Sequence, residues 1–239
     1  MKKLSFFAII LIAGLIAGGC RSEEEKALRT ALNPYEIISL SESEKQAFLA
    51  DTEKQIEKAK AETDADEKNN TLAFREIAAG YACFGLGRFE EALKHFEAGF
   101  SVMQGLTSYP QFYYYAGVAA AGQAKQSAVE SQKALLFEKA IYYYNRALEL
   151  SSTYANAYYG LGVIYYFELG DSDAGLQYAL KTVAAEPDHF GARYMAARIY
   201  IEKGENAKAF EQYNYIIKHA DKKTAESAVR NKEFLEADG

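Results

Sequence analysis

Leu86-Gly87-Arg88-Phe89-Glu90-Glu91-Ala92-Leu93-Lys94-His95-Phe96 decides how this chain is read, because versions of it return. A glycine opens a turn, a small residue follows, and an aromatic stands four residues later: Ala92 with Phe96, Ala140 with Tyr144, Ala174 with Tyr178, Ala209 with Tyr213. The Ala140 copy lacks the glycine. Ahead of each copy runs a helical stretch with two small or apolar residues and, usually, an aromatic three positions on. Leu161-Gly162 with Tyr165 and Ala196-Ala197 with Tyr200 are the best of these. A recurrence of about 35 residues points to stacked helical hairpins, each burying its apolar side on the next, and not to one globular enzyme core.

Working outward, the repeat predicts helix pairs at about 71–86 and 89–103, 109–127 and 132–151, 155–169 and 172–185, and 189–203 and 206–219. Gly87, Gly170 and Gly204 fall at the turns, where a permissive backbone is needed. The second pair carries a polar, helix-prone insertion from Gln123 to Lys133, which either lengthens both helices or protrudes as a loop. Before the repeats, Ser41 and Glu44 have capping-box spacing and start a helix near residue 42. It runs to about Glu62 with Phe48, Thr52, Ile56 and Ala59 on one side, and the polar stretch Thr63 to Asn70 breaks it from the array. An amphipathic segment from Lys222 to Ala237 caps the far end, as an open solenoid requires for solubility.

This pattern resembles the tetratricopeptide repeat over about residues 71–220. Gly80, Gly117, Gly162 and Ala197 match that family's small residues in the first helices; Ala92, Ala140, Ala174 (or Gly175, if the turn carries one extra residue) and Ala209 match those in the second helices. Phe96, Tyr144, Tyr178 and Tyr213 match the aromatic that plugs between repeats. The family's terminal proline appears once, as Pro187, and its tryptophan is absent. The resemblance implies an all-α, TPR-like α-solenoid of about four hairpins: an N-terminal helix at 41–66, the array at 67–220 and a capping helix at 221–239.

It also implies a concave wall lined by the first helix of each pair. Residues spaced i, i+3, i+7, i+10 share a helix face. Beside the small-residue face lie Phe74, Ile77, Tyr81 and Phe84; Tyr114, Val118 and Ala121; Asn156, Tyr159, Val163 and Tyr166; and Tyr194, Arg198 and Ile201. Such a stripe suits a groove for an extended or helical peptide, since tyrosine offers large contact area at low entropic cost. The same residues equally suit packing against the next repeat or against the helix at 42–62. A clamp for a partner's C-terminal carboxylate would need several cations and amides here, and only Asn156 and Arg198 qualify.

At the amino end, Lys2 and Lys3 precede an apolar run from Leu4 to Gly18, the length of a signal-peptide core and short for a membrane span. Ala17-Gly18-Gly19-Cys20 resembles a bacterial lipobox, with Ala17 where leucine is usual. That resemblance implies a signal peptide at 1–19, lipid on Cys20, and a polar tether at 20–40 with a short helix around Ser22 to Leu32. It implies a membrane-anchored protein of the bacterial cell envelope; Arg21, where an aspartate would favour the inner membrane, leans toward the outer one. Cys83 then has no intramolecular partner, and it fills a slot that other repeats give to Tyr165 or Tyr200, as a small buried hydrophobe.

Without residues 1–19 the chain has 25 basic and 33 acidic residues, a net −8. An acidic chain with no basic cluster is a poor nucleic-acid binder. His95, His189 and His219 have no second His or Cys at ligand spacing, Asp188 reads as the N-cap of the helix that follows it, and no phosphate loop or nucleophile elbow is present. The expectation is therefore a non-enzymatic scaffold for a protein or peptide partner, with no cofactor and no metal. Oligomerisation stays open. A ligand-binding accessory protein of a transporter and a surface-exposed adhesin are the rival readings.

Overall fold

The structure, a computed structural model, describes residues 23–61, 66–103 and 109–237. The leader at 1–19 and the lipidation candidate Cys20 lie outside the described residues. Twelve helices follow one another among those described, with no strand. Three precede the array: α1 (Glu23–Ala31), α2 (Pro34–Ile38) and α3 (Glu42–Ala61). Four hairpins follow: α4 (Asp66–Gly85) with α5 (Phe89–Val102), α6 (Pro110–Gln126) with α7 (Glu130–Leu150), α8 (Ala155–Val163, continued by a π turn over Ile164–Glu168) with α9 (Ser172–Ala185), and α10 (Phe190–Glu202) with α11 (Asn206–His219). The last helix, α12 (Lys222–Ala237), packs on α11. From α3 onward each helix packs on its successor, and the buried residues form two clusters that meet in the third hairpin, one ending at Ile164 and the other beginning at Tyr166. Among the described residues no helix is long and apolar enough to cross a membrane.

The recurring glycine works the same way three times. Gly87, Gly170 and Gly204 have φ of 73°, 70° and 73°, in the left-handed region. Each is followed by an amide that reaches back across the turn: Arg88 N–H to the Cys83 carbonyl (2.9 Å), Asp171 to Tyr165 (2.8 Å) and Glu205 to Tyr200 (2.8 Å). In the first and fourth hairpins this is the six-to-one bond of a Schellman closure, and in the third it spans one residue more; each satisfies a helix-end carbonyl and turns the chain back. The second hairpin has no such glycine. Its insertion lengthens both helices, to 17 and 21 residues, joined through an extended Ser127–Val129 link.

Caps fix the other ends. Ser41 N–H donates to the Glu44 carboxylate (2.8 Å) and Glu44 N–H to Ser41 Oγ (3.4 Å), the expected capping box. Asp171 accepts from Ala174 N–H at 2.9 Å to start α9. At α10 the expectation is corrected: His189, not Asp188, is the cap, its Nδ1 accepting from Ala192 N–H at 3.1 Å. Asp188 stands one residue too early and instead accepts from the Tyr215 hydroxyl at 3.0 Å.

Two further differences lie at the amino end. Helix α4 begins at Asp66, inside the stretch expected as a break; that stretch is polar but holds no proline or glycine to stop a helix. Residues 23–38 are no free tether: α1 and α2 fold back on α4, burying Ala27, Ala31, Pro34 and Ile37. Helix α3 lies against α4 separately, through Leu49, Thr52 and Ile56, in the place a preceding hairpin's second helix would take.

Candidate functional site

The motif aromatics are plugs. A Cβ at Gly80 would stand 2.9 Å from the Phe96 ring. The Tyr144 ring is held from two sides: a Cβ at Gly117 would approach it to 2.7 Å and one at Gly160, on the next hairpin, to 2.5 Å. Burial drives the Tyr144 phenol far above the ordinary tyrosine range. In the third hairpin Gly175, not Ala174, makes the close approach, its missing Cβ lying 2.6 Å from Tyr166 Cβ and 3.2 Å from Tyr166 Cα. One residue has been added to the turn, and α8 absorbs it as the π turn, with Leu169 N–H bonded five back to Ile164 (3.0 Å).

Beside these plugs runs the face assigned to a partner. The structure divides it. Phe74, Ile77 and Tyr81 are fully buried, which corrects their reading as open wall. Ile77 faces Gly99 within its own hairpin; Tyr81 meets Phe96 and Tyr115 edge-on with ring centroids 5.3 and 5.0 Å away; Phe74 meets Phe112 at 6.4 Å. Phe84 is half-buried between Phe89 and Tyr115. Tyr166 is also buried, donating to the Glu202 carboxylate, and burial with that carboxylate pushes its phenol up to about 12.

The remaining residues do form a half-exposed stripe. Tyr114, Val118, Asn156, Tyr159, Val163 and Tyr194 are all partly accessible or lie among such neighbours, and Arg198 is exposed. Tyr114 adjoins Tyr154 and Tyr144 with centroids 5.6 and 5.9 Å away, and burial raises its phenol to about 12. The Tyr159 ring lies 4.5 Å from that of His189, linking the third hairpin to the fourth. The Tyr194 hydroxyl donates to the Thr224 carbonyl at 2.8 Å, tying the stripe to α12. The Arg198 guanidinium sits 5.6–5.7 Å above Tyr166 and Phe167 and 3.5 Å from Glu202, so its charge is already engaged.

Residues 137–167, which hold Tyr144, Gly160 and most of α8, match the family model of the TPR repeat. The helical stack also superposes on solved structures of that kind. The TPR protein TTC0263 from Thermus thermophilus aligns with a TM-score of 0.58 at 19% identity, over 86% of this chain and 98% of its own. YrrB, a TPR protein described as having an unusual peptide-binding site, aligns with a TM-score of 0.53 at 20% identity, over 76% and 84%. No curated protein matches the chain. The fold is that of the tetratricopeptide-repeat (TPR) solenoids.

In this TPR stack the sequence missed three wall residues. Tyr35, in the segment read as tether, is 71% exposed and close enough to Tyr114, Tyr115 and Tyr154 to help raise their phenols. Tyr154 precedes α8 and packs edge-on against Tyr114, with ring centroids 5.6 Å apart. Phe167 is turned half outward at the π turn, which no periodicity argument anticipates. The wall is made of phenols, valines, one amide and one paired cation. No group of three His, Cys, Asp or Glu residues among those described is placed to hold a metal. Cys83 is buried in the first hairpin, and burial pushes its thiol up to about 12, so it packs as a hydrophobe.

Proposed function

We propose that this TPR chain is a lipid-anchored scaffold of the bacterial cell envelope that captures a protein or peptide partner on its tyrosine-lined wall. One observation carries the reading: Tyr114, Tyr159 and Tyr194 stand partly exposed on three successive first helices, along a face nearly free of charge. Rigid phenols spaced along a solenoid give a polypeptide several anchors at little entropic cost. The peptide-binding site described for YrrB, a protein of similar fold, supports the same use of the stack. The lipid at Cys20, the envelope location and the preference for the outer membrane follow the lipobox resemblance of Ala17-Gly18-Gly19-Cys20 with Arg21.

Two measurements test this. In the native host, Tyr114→Ser with Tyr159→Ser should abolish crosslinking to the partner while the thermal transition stays cooperative, and Tyr142→Ser, at an exposed position on α7, should leave crosslinking intact. Equal loss from all variants, or loss from none, removes the wall as the binding surface. Separately, Cys20→Ala should end labelling by a fatty-acid analogue and release the protein from membranes; continued labelling ends the anchor reading.

A further inference from the structure

The chain already carries something on its wall. Helices α1 and α2 lie against α4, the first helix of the first hairpin, and the exposed Tyr35 of α2 is close enough to Tyr114 and Tyr115 on the second hairpin to help raise their phenols. The pair shows a simple recognition pattern: Ala27 and Ala31, four residues apart on one helix face, then Ile37 buried and Tyr35 at the rim. Its hold is slight. Two alanine methyls, a proline and one isoleucine are the buried groups, and helices of nine and five residues do not persist alone. A cleft of about 330 Å³ separates α1 from α3 above Phe74 and Ala78.

We propose that α1–α2 is a displaceable strap that holds the place of the partner, and that the partner surface therefore extends onto α4 and takes an amphipathic helix with the same pattern: two small residues four apart, then an aliphatic and a tyrosine. This deepens the scaffold reading and rests on it. Once displaced, residues 23–40 become slack between Cys20 and α3. The apparent affinity of any such partner is reduced by the fraction of time the strap is seated.

Hydrogen exchange on the intact protein gives the first test. Amides of α1–α2 should exchange at least about tenfold faster than those of α4 and α5; equal protection overturns the proposal. The second uses a labelled synthetic peptide of residues 23–40 and the Ala31→Glu chain, in which a carboxylate at a fully buried site unseats the strap. The peptide should bind the Ala31→Glu chain at least about tenfold more tightly than the wild type, since no seated strap competes with it. Binding to neither chain, or equally to both, overturns the proposal. A rigid strap alongside loss of crosslinking in the Tyr114→Ser, Tyr159→Ser variant would sink the strap alone and leave the scaffold reading standing.

Discussion

The Tyr144 ring occupies the space that a side chain on Gly160 would need, 2.5 Å from the position of the missing Cβ. It cannot retreat, because Gly117 holds its other side at 2.7 Å. Overpacking a filled interface of this kind costs about 1–3 kcal/mol. Gly160→Ala should therefore lower the unfolding free energy in urea by that amount, and Tyr144→Phe, which keeps the ring, should cost much less. A neutral Gly160→Ala would mean that the plug slides and the second and third hairpins are only loosely joined.

At the turns the constraint is conformational and not steric. Gly87 and Gly204 have nothing within 4 Å of a built Cβ, yet both have positive φ. An L-residue held there costs roughly 1–2 kcal/mol. Alanine at either position should destabilise by that amount, and asparagine, which tolerates the left-handed region better, by less. Equilibrium unfolding of the four single variants provides the comparison.

Much of this architecture is legible in the sequence. The predicted helices at 172–185 and 206–219 coincide with α9 and α11, because a small residue and an aromatic at fixed spacing report contacts made within one hairpin and with its neighbour. The site is less legible. Periodicity places Phe74, Ile77 and Tyr81 on a face but does not say what lies opposite, and the structure puts helices there. Residues 23–38 hold only Ala27, Ala31, Pro34 and Ile37 as buried anchors, too sparse a pattern to separate a docked strap from a tether when its partner helix lies so far along the chain. The π turn leaves its trace only as the ambiguity between Ala174 and Gly175, which the added residue explains.

The buried phenols give the protein a defined alkaline limit. Burial raises Tyr81, Tyr115, Tyr143, Tyr144 and Tyr154 well above the ordinary value of 10.0, and Tyr114 to about 12. A phenol with a raised folded-state pKa favours the neutral form in the fold. Its contribution is intact below about pH 10 and is lost as pH climbs from there toward the folded value. Each such group removes stability at up to about 1.4 kcal/mol per pH unit once the unfolded chain ionises. Absorbance titration should show fewer than the full 19 tyrosinates at about pH 11 while helicity persists, then a joint collapse of helicity and release of the rest. Smooth titration of all tyrosines with helicity retained would contradict this burial.

Cys83 offers a probe of the first hairpin from inside. Its thiol is displaced from 9.0 to about 12 by burial foremost, with Glu91 and Glu53 adding to the shift. At neutral pH the thiolate population falls about a thousandfold, and the thiolate is the species that reacts. A small thiol reagent should leave the folded protein unlabelled over minutes and label Cys83 fully in denaturant. Because α1 and α2 sit on α4 away from the α4–α5 seam, the Ala31→Glu chain should stay as unreactive as the wild type. Rapid labelling of Ala31→Glu alone would show that unseating the strap opens the hairpin itself; rapid labelling of the wild type would show that the hairpin is open from the start.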